Sequence, residues 1–279
     1  FGLNLIDGNI SINDLKAFGN PDLGLLYNQN GTGRNAEQVV DFLNAVTIFY
    51  NKWNANNKRV QINNLILTPV YNINLLDGLD ASDITAFGNN TPPQYNPLFN
   101  EDGSLKNESQ IQATIDFFAA IIIFYEKWQA ARKSADINSK ILSLYGIDLS
   151  NRLQVQDLTA FSNAPRIGPP ATDNGVLIFR RGGGLKTEAE IQATIDFFNA
   201  VVVFYERFQA SSRKSQISTL ILEPIYAVNL ADNAISLTDL TNLGRSTAPQ
   251  YNPLYREDGS LKTEAEIQAT IDFFNAVVV

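Results

Sequence analysis

Residues 185–203 read LKTEAEIQATIDFFNAVVV, and residues 261–279 spell the same nineteen letters. Self-similarity at this level constrains the fold more than any other feature, because units alike in sequence are expected to be alike in structure. The repetition reaches further in weaker form. An opening signature of aromatic, any residue, aliphatic, Asn or Asp, Leu reads FGLNL from Phe1, YNINL from Tyr71, YGIDL from Tyr145 and YAVNL from Tyr226. The starts lie 70, 74 and 81 residues apart, one small domain per copy and longer than most stacked solenoid repeats. The expectation is a mainly α tandem array of small helical beads, with short extended segments and Pro/Gly-rich loops. Its repeats are 1–70, 71–144, 145–225 and 226–279, the last incomplete and ending inside a helix. That ending, and the absence of Met even at position 1, suggest a processed or truncated window on a longer assembly.

Each copy passes through the same stations. A short helical piece follows the opening signature: DLKAFG, DITAFG, DLTAFS and DLTNLG. Ser11 and Ser236 stand three residues before Asp14 and Asp239, which suits a helix cap, while Gly19, Gly88 and Gly244 suit its end. One or two turns are expected. A Pro-rich loop comes next, as in TPPQYNP and TAPQYNP, then an aliphatic-aromatic pair (Leu26-Tyr27, Leu98-Phe99, Ile178-Phe179, Leu254-Tyr255) and a Gly turn. The pair reads as a short extended segment anchored in the core.

The long helix has the clearest signals. NAEQ from Asn35, NESQ from Asn107 and TEAE from Thr187 and Thr263 each offer a capping box, in which the first side chain and the last satisfy each other's backbone N–H. Glu37, Glu108, Glu188 and Glu264 suit the positive helix start, and the pairs Lys58-Arg59, Arg132-Lys133 and Arg213-Lys214 suit its end. About 25 residues, or about 40 Å, is the expected length. A closing apolar run, INNLILTPVY, INSKILSLY or ISTLILEPIY, reads as a further helix rather than a strand, with Pro69 and Pro224 placed to break it.

Stepping 100° per residue from Ile111 puts Gln112, Asp116, Glu126 and Lys127 in one arc of roughly 100°. The rest is apolar and wider than one neighbour needs, so the helix is central to its bead or also meets another chain. It is not expected to span a membrane, since Asp116, Glu126 and Lys127 interrupt the apolar run. The Asp on this arc in every copy (Asp41, Asp116, Asp196, Asp272) reads as solvated or part of a capping network rather than catalytic.

Composition narrows the chemistry. The chain has 21 Lys and Arg against 29 Asp and Glu, a net charge of -8 that repels nucleic acid. Cys, His and Met are absent, which removes disulfides, thiolate and imidazole metal sites and the usual haem ligands except Tyr. No His is available as a base and no Gly-x-Ser-x-Gly elbow occurs. GGG at 182–184 lacks the Lys-Ser or Lys-Thr of a phosphate loop. The turns NEDGSL and REDGSL leave a weak calcium option at Asp102 and Asp258. Setting Gly103 at loop position 6, however, puts Leu98 and Asn100 where carboxylates belong, and the third copy has Arg180 and Arg181. The turn-then-helix pieces resemble degenerate EF-hand or dockerin repeats without the ligand residues, a likeness that implies no function. Asn-x-Ser/Thr sequons at Asn9, Asn30, Asn89 and Asn107 matter where the source glycosylates secreted proteins.

No catalytic residue, cofactor or membrane span is therefore expected, since polar positions recurring copy after copy argue for architecture. The leading expectation is a non-catalytic structural repeat protein of an extracellular or cell-surface filament, sheath or surface layer, self-associating with neighbouring copies. The alternative is a multivalent array binding a glycan or peptide through its Tyr-Asn-Pro loops, at Tyr95, Asn96, Tyr251 and Asn252.

Overall fold

The computed structural model describes residues 35–88, 96–167, 177–180, 183–245 and 252–278. These are mainly helical, and their only β pairing is in isolated antiparallel bridges. The chain divides into two compact units, Phe1–Ile122 with Arg152–Leu158, and Ile123–Asn151 with Thr159–Val279. In chain order, α1 is Ala36–Ala55, and α2 is Arg59–Ile62 continued by a π-helical stretch, Asn63–Tyr71. Next come α3 (Ala81–Gly88), α4 (Glu108–Ala130), α5 (Ser134–Tyr145), α6 (Val155–Ile167) and α7 (Glu188–Ala210). α8 is Lys214–Ile217, continued through a π turn, Ser218–Leu222, into Glu223–Tyr226; α9 (Leu237–Leu243) and α10 (Glu264–Val277) complete the order.

The long helices α1, α4, α7 and α10 start where local chemistry places them. Asn35 N–H donates to Gln38 Oε1 at 3.1 Å and Gln38 N–H returns to Asn35 Oδ1 at 2.8 Å. Asn107 with Gln110, Thr187 with Glu190 and Thr263 with Glu266 repeat the exchange. The ends fall earlier than the basic pairs suggested. α1, α4 and α7 stop at Ala55, Ala130 and Ala210, because the chain turns back at once: Asn56, Ala131 and Ser211 N–H donate three residues back, to the carbonyls of Trp53, Trp128 and Phe208. The indoles brace the turn, Trp53 Nε1 donating to Arg59 O at 2.9 Å and Trp128 Nε1 to Ser134 O at 2.7 Å. Lys58, Lys133 and Arg213 thus precede the closing helices instead of ending the long ones. No helix among the described residues is long and apolar enough to cross a membrane.

The closing segments α2, α5 and α8 are helical, as the sequence suggested, but the prolines do not stop them. Pro69 lies inside the π-helical stretch and Pro224 near the start of Glu223–Tyr226, where its missing N–H costs little. The stop comes from a left-handed residue in each case: Asn72 (φ 56°), Gly146 (φ 71°) and Ala227 (φ 54°).

That reversal feeds the opening signature into the core, which explains its letters. Ile73, Ile147 and Val228 are fully buried, as are Leu149 and, nearly so, Leu75 and Leu230. The Leu N–H is caught by a side chain of the preceding closing helix: Leu75 by Asn63 Oδ1 at 2.8 Å, Leu149 by Asn138 Oδ1 at 2.7 Å, Leu230 by Ser218 Oγ at 3.3 Å. The residue before it is held from the other side, Asn74 N–H donating to Asp83 and Asn229 N–H to Asp239, both at 2.7 Å. Those buried aspartates also complete the short-helix caps, Asp83 with Asp80 and Asp239 with Ser236. α3 and α9 have the expected length, while α6 runs on to Ile167. Ser11, Asp14 and Gly19 lie outside the described residues.

The wide apolar face of the long helix finds its second neighbour in the following repeat. Phe49 of α1 meets Phe87 of α3 edge-on at 5.1 Å, and Phe124 of α4 meets Phe161 of α6 at 5.6 Å. Both contacts join a long helix to the short helix of the next copy. An ion pair recurs beside them, Lys52 with Glu108 and Lys127 with Glu188, each at 2.8 Å. At the third junction, Ser211 Oγ donates to Asn275 Oδ1 at 2.7 Å. One repeat earlier the equivalent stations hold Ala131 and Asn199, and the Asn199 Oδ1 is buried without a partner. Ala131→Ser is therefore expected to supply the missing donor and to stabilise the chain by about 1 kcal/mol, measured as a higher urea midpoint at unchanged slope.

Candidate functional site

The most regular polar construction among the described residues is the hairpin that leads into α4, α7 and α10. It forms three times with one bonding pattern. Phe99 bridges Leu105, Phe179 bridges Leu185 and Tyr255 bridges Leu261. In the first, Asn100 N–H donates to Ser104 O at 2.8 Å and Lys106 N–H to Leu98 O at 2.8 Å; Arg180 with Gly184, Lys186 with Ile178, Arg256 with Ser260 and Lys262 with Leu254 follow suit. The turn requires a left-handed residue, supplied by Gly103, Gly183 and Gly259 at φ 82°, 90° and 81°.

The carboxylates considered for calcium serve this turn. Asp102 Oδ1 accepts from Ser104 Oγ at 2.6 Å and Ser104 N–H at 2.9 Å, and Asp258 does the same with Ser260. The serine hydroxyls hold both carboxyl groups below the usual range. Among the described residues no three acidic side chains gather as a metal site would require. In repeats 3 and 4 the hairpin is tied to the helix start: Arg180 bonds both oxygens of Glu190 at 2.9 and 2.7 Å, and Arg256 both oxygens of Glu266 at 2.8 and 2.5 Å. These guanidinium bonds push Glu190 and Glu266 down to about 2.

Of the four residues named for ligand binding, Tyr95 and Tyr251 lie outside the described residues. Asn96 and Asn252 are turned inward. Asn96 Oδ1 accepts from Leu98 N–H at 2.8 Å and Phe99 N–H at 2.9 Å; Asn252 Oδ1 binds Leu254 and Tyr255 likewise, and its Nδ2 donates to Arg245 O at 2.8 Å. The aspartates on the polar arc sit at the exposed surface, where Gln112, Gln192 and Gln268 donate to Asp116, Asp196 and Asp272 at 2.9 Å; Asp41 is exposed too.

What the sequence reading missed is a lysine under each Asn-Pro loop. Lys106 Nζ donates to Asn96 O at 2.6 Å and Thr114 Oγ1 at 2.9 Å; Lys262 repeats this on Asn252 O and Thr270 Oγ1 at 2.6 and 2.8 Å. Lys186 Nζ donates to Thr194 Oγ1 at 2.7 Å. The threonines pass the chain on to helix carbonyls, Thr114 Oγ1 donating to Gln110 O at 3.0 Å. One ammonium thus clips loop to helix. The readable signal was a Lys before the capping box with a Thr eight positions on, three times over: Lys106 and Thr114, Lys186 and Thr194, Lys262 and Thr270.

Burial lowers Lys106 to about 8 and lowers Lys262 as well. Comparison of the chain with protein-family models, with curated proteins and with solved structures finds no match.

The folded chain releases the Lys106 proton near pH 8, the unfolded chain near 10.5. Between these values the unfolded state binds more protons, so stability rises with pH. Relative to Lys106→Met, the wild type should gain about 2 kcal/mol from pH 7.5 to 10.5, read as the difference in urea midpoints across that range. A flat difference would place the ammonium in water.

Proposed function

We propose that the chain is a non-catalytic structural tandem-repeat protein, a subunit or segment of an extracellular or cell-surface filament, sheath or layer. One observation supports this reading: the first two junctions between sequence repeats are built alike. The Lys52–Glu108 pair and the Phe49–Phe87 contact at the first junction return as Lys127–Glu188 and Phe124–Phe161 at the second. Such a junction can be added again, so the array can be lengthened without new chemistry. The four sequence repeats act here as units of a tandem array, each sharing its core with its neighbour, and the partners are further copies of the same kind. The recurring polar side chains at the hairpins, caps and Lys clips support architecture over catalysis, because their hydrogen bonds are spent inside the repeat. Absence of oxidisable Cys and Met and a net charge of -8 suit an exposed, soluble surface.

Electron microscopy of the native material tests the reading. Regular fibres or a lattice labelled by antibody to this chain are expected. Monodisperse particles that bind a glycan array would overturn it in favour of the multivalent binding array, with the loops around Tyr95 and Tyr251 as its contacts.

A further inference from the structure

Three Asp–Gly pairs stand among the described residues: Asp77–Gly78, Asp102–Gly103 and Asp258–Gly259, and all three aspartates are exposed. A fourth, Asp7–Gly8, lies outside them. Such a pair carries its own electrophile and nucleophile, the side-chain carboxyl carbon and the next backbone nitrogen, and Gly adds no Cβ to keep them apart. Attack of the Gly nitrogen on Cγ of the protonated carboxyl group forms an N–C bond, and the carboxyl hydroxyl leaves with the amide proton as water. The product is a five-membered succinimide. Water then opens one of its two carbonyls, which restores Asp or leaves the main chain running through the side-chain carboxyl as isoaspartate. The sum is an isomerisation that takes up the water it released and needs no oxidant or reductant.

What the fold controls is how firmly each reactant is held. At the two hairpins both are tied. Gly103 N–H donates to Asn100 O at 2.9 Å and Gly259 N–H to Arg256 O at 3.0 Å. Asp102 Oδ1 accepts from Ser104 N–H at 2.9 Å and Ser104 Oγ at 2.6 Å, and Asp258 Oδ1 accepts from Ser260 at the same distances. These bonds favour the charged carboxylate, which does not lose water, and hold both groups below the usual carboxylate range.

The remaining pair is held loosely. Gly78 N–H reaches Leu75 O only at 3.4 Å, the far limit of a hydrogen bond. Asp77 has no Ser two residues on, and its Oδ2 accepts instead from Asn74 Nδ2 at 2.8 Å. That contact belongs to a chain of bonds that seats the opening segment of repeat 2: Asn74 Oδ1 accepts from Asn63 Nδ2 at 2.9 Å, and Asn63 Oδ1 from Leu75 N–H at 2.8 Å. In repeats 3 and 4 the same station reads Asn151–Arg152 and Asp232–Asn233, without the Gly.

We propose that Asp77–Gly78 is a site of spontaneous isoaspartate formation, and that the Ser turns shield Asp102 and Asp258 from the same reaction. The modification falls in the loop between the first closing helix and α3, where the rerouted backbone takes from Asn74 Nδ2 its acceptor. The inference is independent of the filament reading.

Mass-spectrometric peptide mapping with electron-transfer fragmentation, which separates isoaspartate from Asp, tests this on the full chain aged in neutral buffer at body temperature. The same chain aged in guanidinium chloride gives the rate at each site without the fold. The ratio of unfolded to folded rate is expected to be at least about fivefold smaller at Asp77 than at Asp102 or Asp258, the factor set by one ordinary hydrogen bond that must break before attack. Ser104→Ala and Ser260→Ala should each raise isoaspartate about fivefold at its own turn and leave Asp77 unchanged. Equal ratios at the three sites, or a larger one at Asp77, overturn the proposal. Serine variants that leave Asp102 and Asp258 as slow as in the wild type overturn the shielding.

Discussion

Phe49 and Phe124 sit in the second half of their helices, fully buried, and the ring each one meets belongs to the next copy of the repeat. A side chain of this size contributes about 2–3 kcal/mol when taken out of water. The neighbouring Lys–Glu pairs are half-open to solvent, where charge attraction is screened and side-chain entropy offsets it. Apolar burial therefore supplies the cohesion of a junction, and the ion pair selects its register. The sequence repeat is consequently not where the core closes. A long helix severed from the opening segment and short helix that follow would leave its Phe exposed, so neighbouring repeats are coupled through the aromatic contact.

The polar residues follow from that burial. Reversing the chain at Asn72, Gly146 and Ala227 drives the opening segment inward with its backbone N–H groups still to be satisfied. Asn63, Asn138 and Ser218 meet the Leu N–H from one side, and Asp83 and Asp239 meet the preceding N–H from the other. A buried donor left alone costs about 1–3 kcal/mol, enough to fix a polar side chain at each station. The hairpin shows the same logic. Asn96 and Asn252 cap a bend, and Lys106 and Lys262 gather a loop carbonyl and a threonine hydroxyl. Recurrence of these letters has a structural cause that requires no ligand.

How far the sequence could be read follows from the range of each interaction. Capping boxes act over three residues, so Asn35, Asn107, Thr187 and Thr263 announced their helices, and Ser236 its short one. The Gly turns were equally local. The helix ends were misjudged because Trp53 and Trp128 reach six residues forward to brace the turn, which places the basic pairs beyond it. Pro69 misled because a π-helical stretch absorbs it. Lys106 reads as a surface lysine between hairpin and cap unless its spacing to Thr114, eight positions on, is compared with Lys186–Thr194 and Lys262–Thr270. The partner of the wide apolar face was beyond reach from sequence, since nothing in Phe124 itself names Phe161 as its neighbour.

Equivalent junctions are nonetheless not equal. At the first, Asn56 Oδ1 takes the N–H of Lys58, and the station of Asn275 is held by Ala119, which asks for no hydrogen bond; at the third, Ser211 Oγ accepts from Arg213 N–H and also donates to Asn275. At the second, the turn station holds Ala131, which has no donor to give, and Asn199 Oδ1 is left without a partner. A repeat with Asn at this station is matched by a predecessor with Ser in its turn, so the repeat 3 sequence suits a predecessor like itself better than the repeat 2 it follows. Such a mismatch is expected to make the second junction weaker than the third. Differences between equivalent junctions thus lie in single side chains: the turn residue varies between Asn56, Ala131 and Ser211, while the Phe contact is present at the first two junctions and repeat 4 has Leu243 at that station.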